Sequence, residues 1–389
     1  MQVIQAVFGV FHHFELAHQL HQRGHLRRIY STWPWARLKR EGIPRELVRT
    51  FPLVHTADYL LRRTPLYSPS MDGRFNEANS LTFDAWTKLT IELCDAFIAI
   101  SGAGLTTGPK LQGMGAKFIC DRGSTHQRFQ NEVLEEEYRR WHVPYVEPPS
   151  HIVRREEAIY AMADAITVPS TAARRSFEQM GVNSAKLHVI PYGVRLDKFK
   201  PSSKPRAETF DVLFAGHVSL RKGVPYLLQA FSLLRHPRKT LTVVGPVQHE
   251  MRELLGRLPT EQVIFTGTLS QADLASRMSQ SHVLALPSVE EGLALVQGQA
   301  MACGSPVIAT TATGAEDLFT DGREGFILPE RDVGGLTDRL QQLADDPGLR
   351  ARMSEAALQR VVSLGGWNTY GHQWDRLLHG LTGKPVDHD

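Results

Sequence analysis

The segment LFAGHVSLRKGVPYLLQAFSLL, residues 213–234, holds one complete strand–loop–helix unit. An apolar run ends at Gly216, a short loop closes on Arg221-Lys222-Gly223, and a helical apolar pattern begins at Val224. A fully apolar strand that feeds directly into a helix is the building unit of a parallel sheet covered on both faces. The same alternation runs in both directions from here. Upstream, Val3–Phe8, Phe97–Ile100, Lys117–Ile119, Ala165–Val168 and His188–Ile190 read as strands, with helical stretches at Leu81–Leu93, Gln127–Arg140 and Ser170–Met180. Downstream, Leu241–Val244, Val263–Phe265, Val283–Leu286 and Pro306–Ala309 each precede a helix. The chain is therefore α/β. The alternation pauses in YGVRLDKFKPSSKPRAET, residues 192–209, which is rich in Pro, Ser and charge and reads as a domain boundary. A length of 389 residues also asks for two cores rather than one.

Composition excludes several classes. Apolar residues at 42% and charged residues at 22% are ordinary globular values. A net charge of +3 is too small for nucleic-acid binding by the whole chain. Cys94, Cys120 and Cys303 lack metal-ligand spacing and are odd in number, which fits a reduced, cytoplasmic protein. The N-terminus reads as a first strand and not as a signal peptide, and no apolar stretch is long enough to span a bilayer.

In open parallel sheets, ligands bind beyond the carboxyl ends of the strands. Arg221 and Lys222 stand there, at a helix start where the backbone is already electropositive, so the pair points to a bound anion. The alternative is a solvated turn. A second segment, PSVEEGLALVQGQAMACG at 287–304, repeats the arrangement, with a helix expected from Gly292 or Leu293. There Gly292 would let a phosphate approach backbone amides. Glu291 could accept hydrogen bonds from a polyol, or simply complement the helix dipole. Gln299, eight residues on, would address a separate part of an extended ligand, at about 12 Å if the interval is helical. Gly9, His12 and His13 follow the first strand and His217 follows Gly216; all four are candidate cleft lining. SGAGLTTG at 101–108 lacks the spacing of a dinucleotide fingerprint and reads as a loop. No Asp-x-Asp pair follows an expected strand, and no metal or other cofactor is expected.

Taken together, these segments resemble the retaining GT-B glycosyltransferases of family 4, whose signature is EGxGLxxxEAMACGxPV. DRGSTH at 121–126, IPYGVRLDKF at 190–199 and GAEDLFTDGREGFILP at 314–329 stand in that family's usual order. The resemblance implies two Rossmann-like domains with parallel sheets facing across a cleft. The acceptor domain would be residues 1–192 plus a crossing helix at 367–389, and the donor domain residues 193–366. It implies that Arg221, Lys222, Gly216 and Gly292 hold the donor diphosphate. Glu291, Leu293, Leu295 and Gln299 would surround the donor sugar and ribose. Gln299 falls where the family has a second Glu. His126 would lie near the reacting sugar, so His126 and Glu291 are the catalytic candidates.

The expected activity is retaining transfer of a hexosyl unit from a UDP- or GDP-sugar to an acceptor hydroxyl, in cell-envelope polysaccharide or glycolipid synthesis. The alternative is a silent nucleotide-sugar-binding subunit. Ten Lys/Arg against three acids between Arg23 and Arg63, interleaved with Tyr30, Trp33 and Trp35, suit a lipid-linked acceptor or peripheral contact with the inner membrane face. A solvated helical face is the bland reading of the same residues.

Overall fold

The computed structural model describes residues 1–64 and 71–385, the side chain of Asp72 excepted. Two parallel sheets account for all the named strands. The first takes β1 (Val3–Val7), β2 (Leu26–Ser31), β3 (Val48–Thr50), β4 (Ala96–Ile100), β5 (Lys117–Asp121), β6 (Ala165–Val168) and β7 (Leu187–Val189), in the order β3-β2-β1-β4-β5-β6-β7. The second takes β8 (Phe210–Ala215), β9 (Lys239–Val244), β10 (Val263–Gly267), β11 (Val283–Leu286), β12 (Val307–Thr310) and β13 (Gly325–Leu328), in the order β10-β9-β8-β11-β12-β13. No strand or helix interrupts the chain between Ile190 and Thr209. β1 and β11 are buried at every position, as strands covered by helices on both faces must be.

In each sheet the order reverses beside the first strand, so β1/β4 and β8/β11 form the switch points where a crevice opens. The final helix, Gly366–Thr382, leaves the second domain and packs on the first, with Tyr370, Trp374 and Leu378 buried in one cluster with Leu16, Ala17 and Leu20. Residues 386–389 of the expected crossing segment lie outside the described residues.

Residues 23–63 differ from the expected basic face. They contain β2 and β3, with Tyr30 in the core and its hydroxyl donating to the Thr90 carbonyl. Several of the cations are already paired: Arg27 and Arg28 with Glu92, Arg37 with Glu41, Arg62 with Asp58. Arg37 and Arg45 lie over the rings of Trp33 and Trp35.

Candidate active site

β8 and β11 are neighbours, so the loops that follow them meet. The Val289 N–H donates to the Arg221 carbonyl at 2.9 Å. Gly223 caps the helix Val224–Leu233 at φ +65°, and a Cβ there would strike the Pro287 carbonyl. The two charged doublets, Arg221-Lys222 and Glu290-Glu291, are thereby held face to face. The two glutamates of this bent segment take different sets of partners.

Glu291 turns to the cations, in an ion pair with Lys222 and 3.9 Å from Arg221. Glu290 turns to the other domain and is 0% exposed. It accepts from Arg221 Nε at 2.6 Å, from Ser124 Oγ at 3.0 Å, from Gln130 Nε2 at 2.9 Å and from the Thr125 hydroxyl. The guanidinium and these donors hold its carboxyl below the usual carboxylate range against the opposing effect of burial. Burial and the neighbouring Arg221 push the Lys222 ammonium down to about 7. Partial burial, then Lys222 and Arg221, lower His217, which stands at the outer edge of the group.

Sequence reasoning missed Glu290 as a bolt between the domains. The Glu290-Glu291 doublet was its only local signal. Two further bolts were also missed. Buried Glu137 accepts from Trp141 Nε1, Tyr226 Oη and Arg331 Nε at 2.7–2.9 Å. Asp317 accepts from the Thr171 N–H and hydroxyl.

Several expected positions need correction. The helix starts at Leu295, not at Gly292 or Leu293, and ends at Ala302. Only the last part of the interval from Glu291 to Gln299 is helical, so the 12 Å spacing does not hold. A Cβ on Gly292 would lie 2.2 Å from the Gly123 carbonyl oxygen, so this glycine admits the other domain's backbone rather than a phosphate. Leu293 is buried and Leu295 half-buried, while Gln299 is half-buried with no side-chain bond among the described residues. Gly216 closes β8. His126 is the N-cap of the helix Gln127–Arg140, accepting from the Arg128 N–H. Its ring packs on Tyr160 and Phe177, and burial lowers it to about 4. Capping and packing hold this ring within its own domain.

His12 and His13 lie just beyond Gly9, on the first helix, and are buried rather than lining an open cleft. His12 Nε2 is 2.9 Å and His13 Nε2 3.4 Å from Asp121 Oδ2 at the end of β5. Burial takes His13 down to about 3. Asp121, absent from the sequence-based candidates, also accepts from Thr167 Oγ1 at 2.9 Å. A cavity of about 630 Å³ opens beside this group, lined by Phe8, Ile100, Ser101, Gly102, Arg122 and Arg155 among others. Arg122 joins it to the domain seam by donating to the Thr125 carbonyl at 2.9 Å.

Among the described residues, no helix is long and apolar enough to cross a membrane. Residues 197–360 match the family model "Glycosyl transferases group 1". The chain is 28% identical over 259 residues to a D-inositol 3-phosphate glycosyltransferase of Pseudarthrobacter chlorophenolicus, covering 62% of this chain and 61% of that one. Its fold matches sucrose-phosphate synthase of Thermosynechococcus elongatus at a TM-score of 0.76 and 21% identity, over 98% of this chain and all of that one. It also matches the Anabaena protein HepE in complex with UDP and glucose at 0.70 and 18%, with the same coverage. Residues 197–360 thus form a glycosyl transferases group 1 domain, and the chain that carries it has the GT-B architecture.

Proposed function

We propose that this chain transfers a hexosyl unit from a UDP- or GDP-sugar to an acceptor hydroxyl, with retention at the anomeric carbon. The observation that carries the reading is the Arg221-Lys222 pair at a helix start, balanced in the free protein by Glu290 and Glu291. An arriving diphosphate exchanges with Glu291 for Lys222. The freed Glu291 carboxylate then accepts hydrogen bonds from the donor sugar, and Gln299 bonds the ribose. As the glycosyl–oxygen bond breaks, charge grows on the leaving diphosphate, beside Lys222 and Arg221. Positive charge at the diphosphate is supplied by side chains, so added Mg²⁺ or Mn²⁺ is not required. A phosphate oxygen of the donor takes the acceptor proton on the same face, which preserves the configuration.

The acceptor enters through the 630 Å³ cavity at the ends of β1 and β4. Its apolar side chains (Phe8, Leu81, Ile100, Leu105, Ile152) beside polar and charged ones such as Asn76, Glu77, Arg122 and Glu156 suit a sugar carried on an apolar or lipid-linked body, as in cell-envelope synthesis. Unpaired basic residues of 23–63 then add contact with anionic lipid. A second reading, a silent binding subunit, is favoured by Gln299 alone.

A panel of UDP- and GDP-sugars tests this by thermal stabilisation and by hydrolysis without acceptor. Stabilisation with turnover by one nucleotide sugar is expected. Stabilisation without turnover, also with acceptors present, selects the silent subunit. No stabilisation by any of them sinks both readings.

A further inference from the structure

We propose that His25, Asp375 and His379 form a divalent transition-metal site that clips the crossing helix to the first domain. His25 stands just before β2, and Asp375 and His379 are four residues apart on one face of the last helix. His25 Nε2 lies 3.1 Å and His379 Nε2 3.6 Å from the same carboxylate oxygen, Asp375 Oδ1. An ion about 2.1 Å from each ligand sets neighbouring ligand atoms about 3.0 Å apart in octahedral and about 3.4 Å apart in tetrahedral geometry. The measured separations therefore need little adjustment.

The tautomer carries the argument further. His379 Nδ1 is 2.9 Å from the Lys384 carbonyl, an oxygen that can only accept. Nδ1 therefore bears a proton, and Nε2 is the nitrogen left to face the carboxylate oxygen and a shared ion. A carbonyl behind the outer nitrogen is also the usual way a ligating imidazole is oriented. Two imidazoles and a carboxylate suit Zn²⁺, Co²⁺ or Fe²⁺ better than Mg²⁺. The Asp375 side chain is 17% exposed, which leaves an entry path. In the other such group among the described residues, His12–His13–Asp121, both histidine Nδ1 atoms are buried without a partner. The sequence gives no hint of the site, because its ligands come from opposite ends of the chain. This inference is independent of the transferase reading.

The test uses the full-length protein, stripped with a strong chelator and titrated with Co²⁺ and Zn²⁺. About one equivalent bound, a visible Co²⁺ spectrum and a raised Tm are expected. His379→Gln should weaken binding by at least about tenfold, with His13→Asn leaving it unchanged. Zinc absorption-edge spectroscopy on the wild type gives an answer even where a variant folds poorly. A first shell with two imidazoles supports the site. No uptake by stripped wild type, binding indifferent to His379→Gln, or a thiolate or all-oxygen shell overturns it.

Discussion

The two domains put contrasting chemistry at the carboxyl ends of their strands. Beyond β8 and β11, two cations meet two carboxylates, and the Arg221 side chain is 34% exposed. Beyond β1 and β5, two histidines meet one aspartate, and all three are sealed from solvent. In the first group Lys222 is balanced by Glu291, a partner that can exchange, because phosphate can replace that carboxylate at little cost. The second is closed around its own bonds to Asp121. On the proposed reading, one side receives an anion and the other is a rigid floor. A seam of bonds to Glu290 couples them.

The largest effect should come from the exchangeable side. Lys222→Ala should lower transfer about 10²–10³-fold, the scale of losing one donor aimed at developing charge. Nucleoside diphosphate binding should weaken far more than nucleoside binding. Calorimetry with both ligands checks this; equal losses would mean Lys222 shapes the pocket instead of serving the anion.

Glu290→Ala comes next and tests the coupling. It strands Ser124, Thr125 and Gln130 on one side and Arg221 on the other. Breaking a fully buried pair costs about 3–5 kcal/mol, but Arg221 is partly solvated and keeps Glu291 nearby, so about 2–3 kcal/mol is expected. Chemical denaturation measures it. A loss under about 0.5 kcal/mol, the range of an ordinary surface change, would show that the seam does not contribute to stability.

A pH effect separates the two sides further. Lys222 in the free protein titrates at about 7, well below an ordinary lysine, because burial and Arg221 disfavour its charge. A bound diphosphate favours the charge and raises that value. Below pH 7 the ammonium is present before and after binding, so no proton is taken up. Above pH 7 the free amine is neutral, so binding draws in a proton and affinity falls as pH rises, by at most tenfold per unit. Calorimetry at pH 8 in buffers of different ionisation enthalpy should register uptake approaching one proton. Zero uptake at pH 8 together with pH-independent affinity would put Lys222 outside the phosphate site.

How far the sequence reached follows the same division. Most strands were legible because covered strands are near-continuous apolar runs. β2 was not, since Arg27 and Arg28 interrupt LRRIYS and are balanced by Glu92, sixty-odd residues away. Arg221-Lys222 and Glu290-Glu291 were legible as neighbours in the chain. The split between the two glutamates was not, because the donors that claim Glu290 come from residues 124–130. Asp121 was likewise invisible without His12, 109 positions earlier. Helix capping and a role near a sugar both place a histidine after a strand, so the cap made by His126 and its packing on Tyr160 and Phe177 were not legible.

The smallest expected effect concerns Gln299, and it decides whether the helix Leu295–Ala302 belongs to the exchangeable side at all. Its amide is half-buried and makes no bond among the described residues, so it is free for a ligand. A neutral acceptor contributes about 0.5–1.5 kcal/mol and a charged one about 1.5–3. If Gln299 meets the ribose diol, Gln299→Glu should therefore tighten donor binding by about 1 kcal/mol, several-fold in Kd. Turnover should change less, because the ribose is remote from the bond that breaks. Glu291→Gln is the matched opposite: it should cut turnover more than binding, since Glu291 addresses the sugar being transferred. Donor Kd and kcat for both variants give the pattern directly. Equal, negligible changes in both would remove the helix from the donor site, leaving Arg221 and Lys222 as an anion site with no sugar beside it.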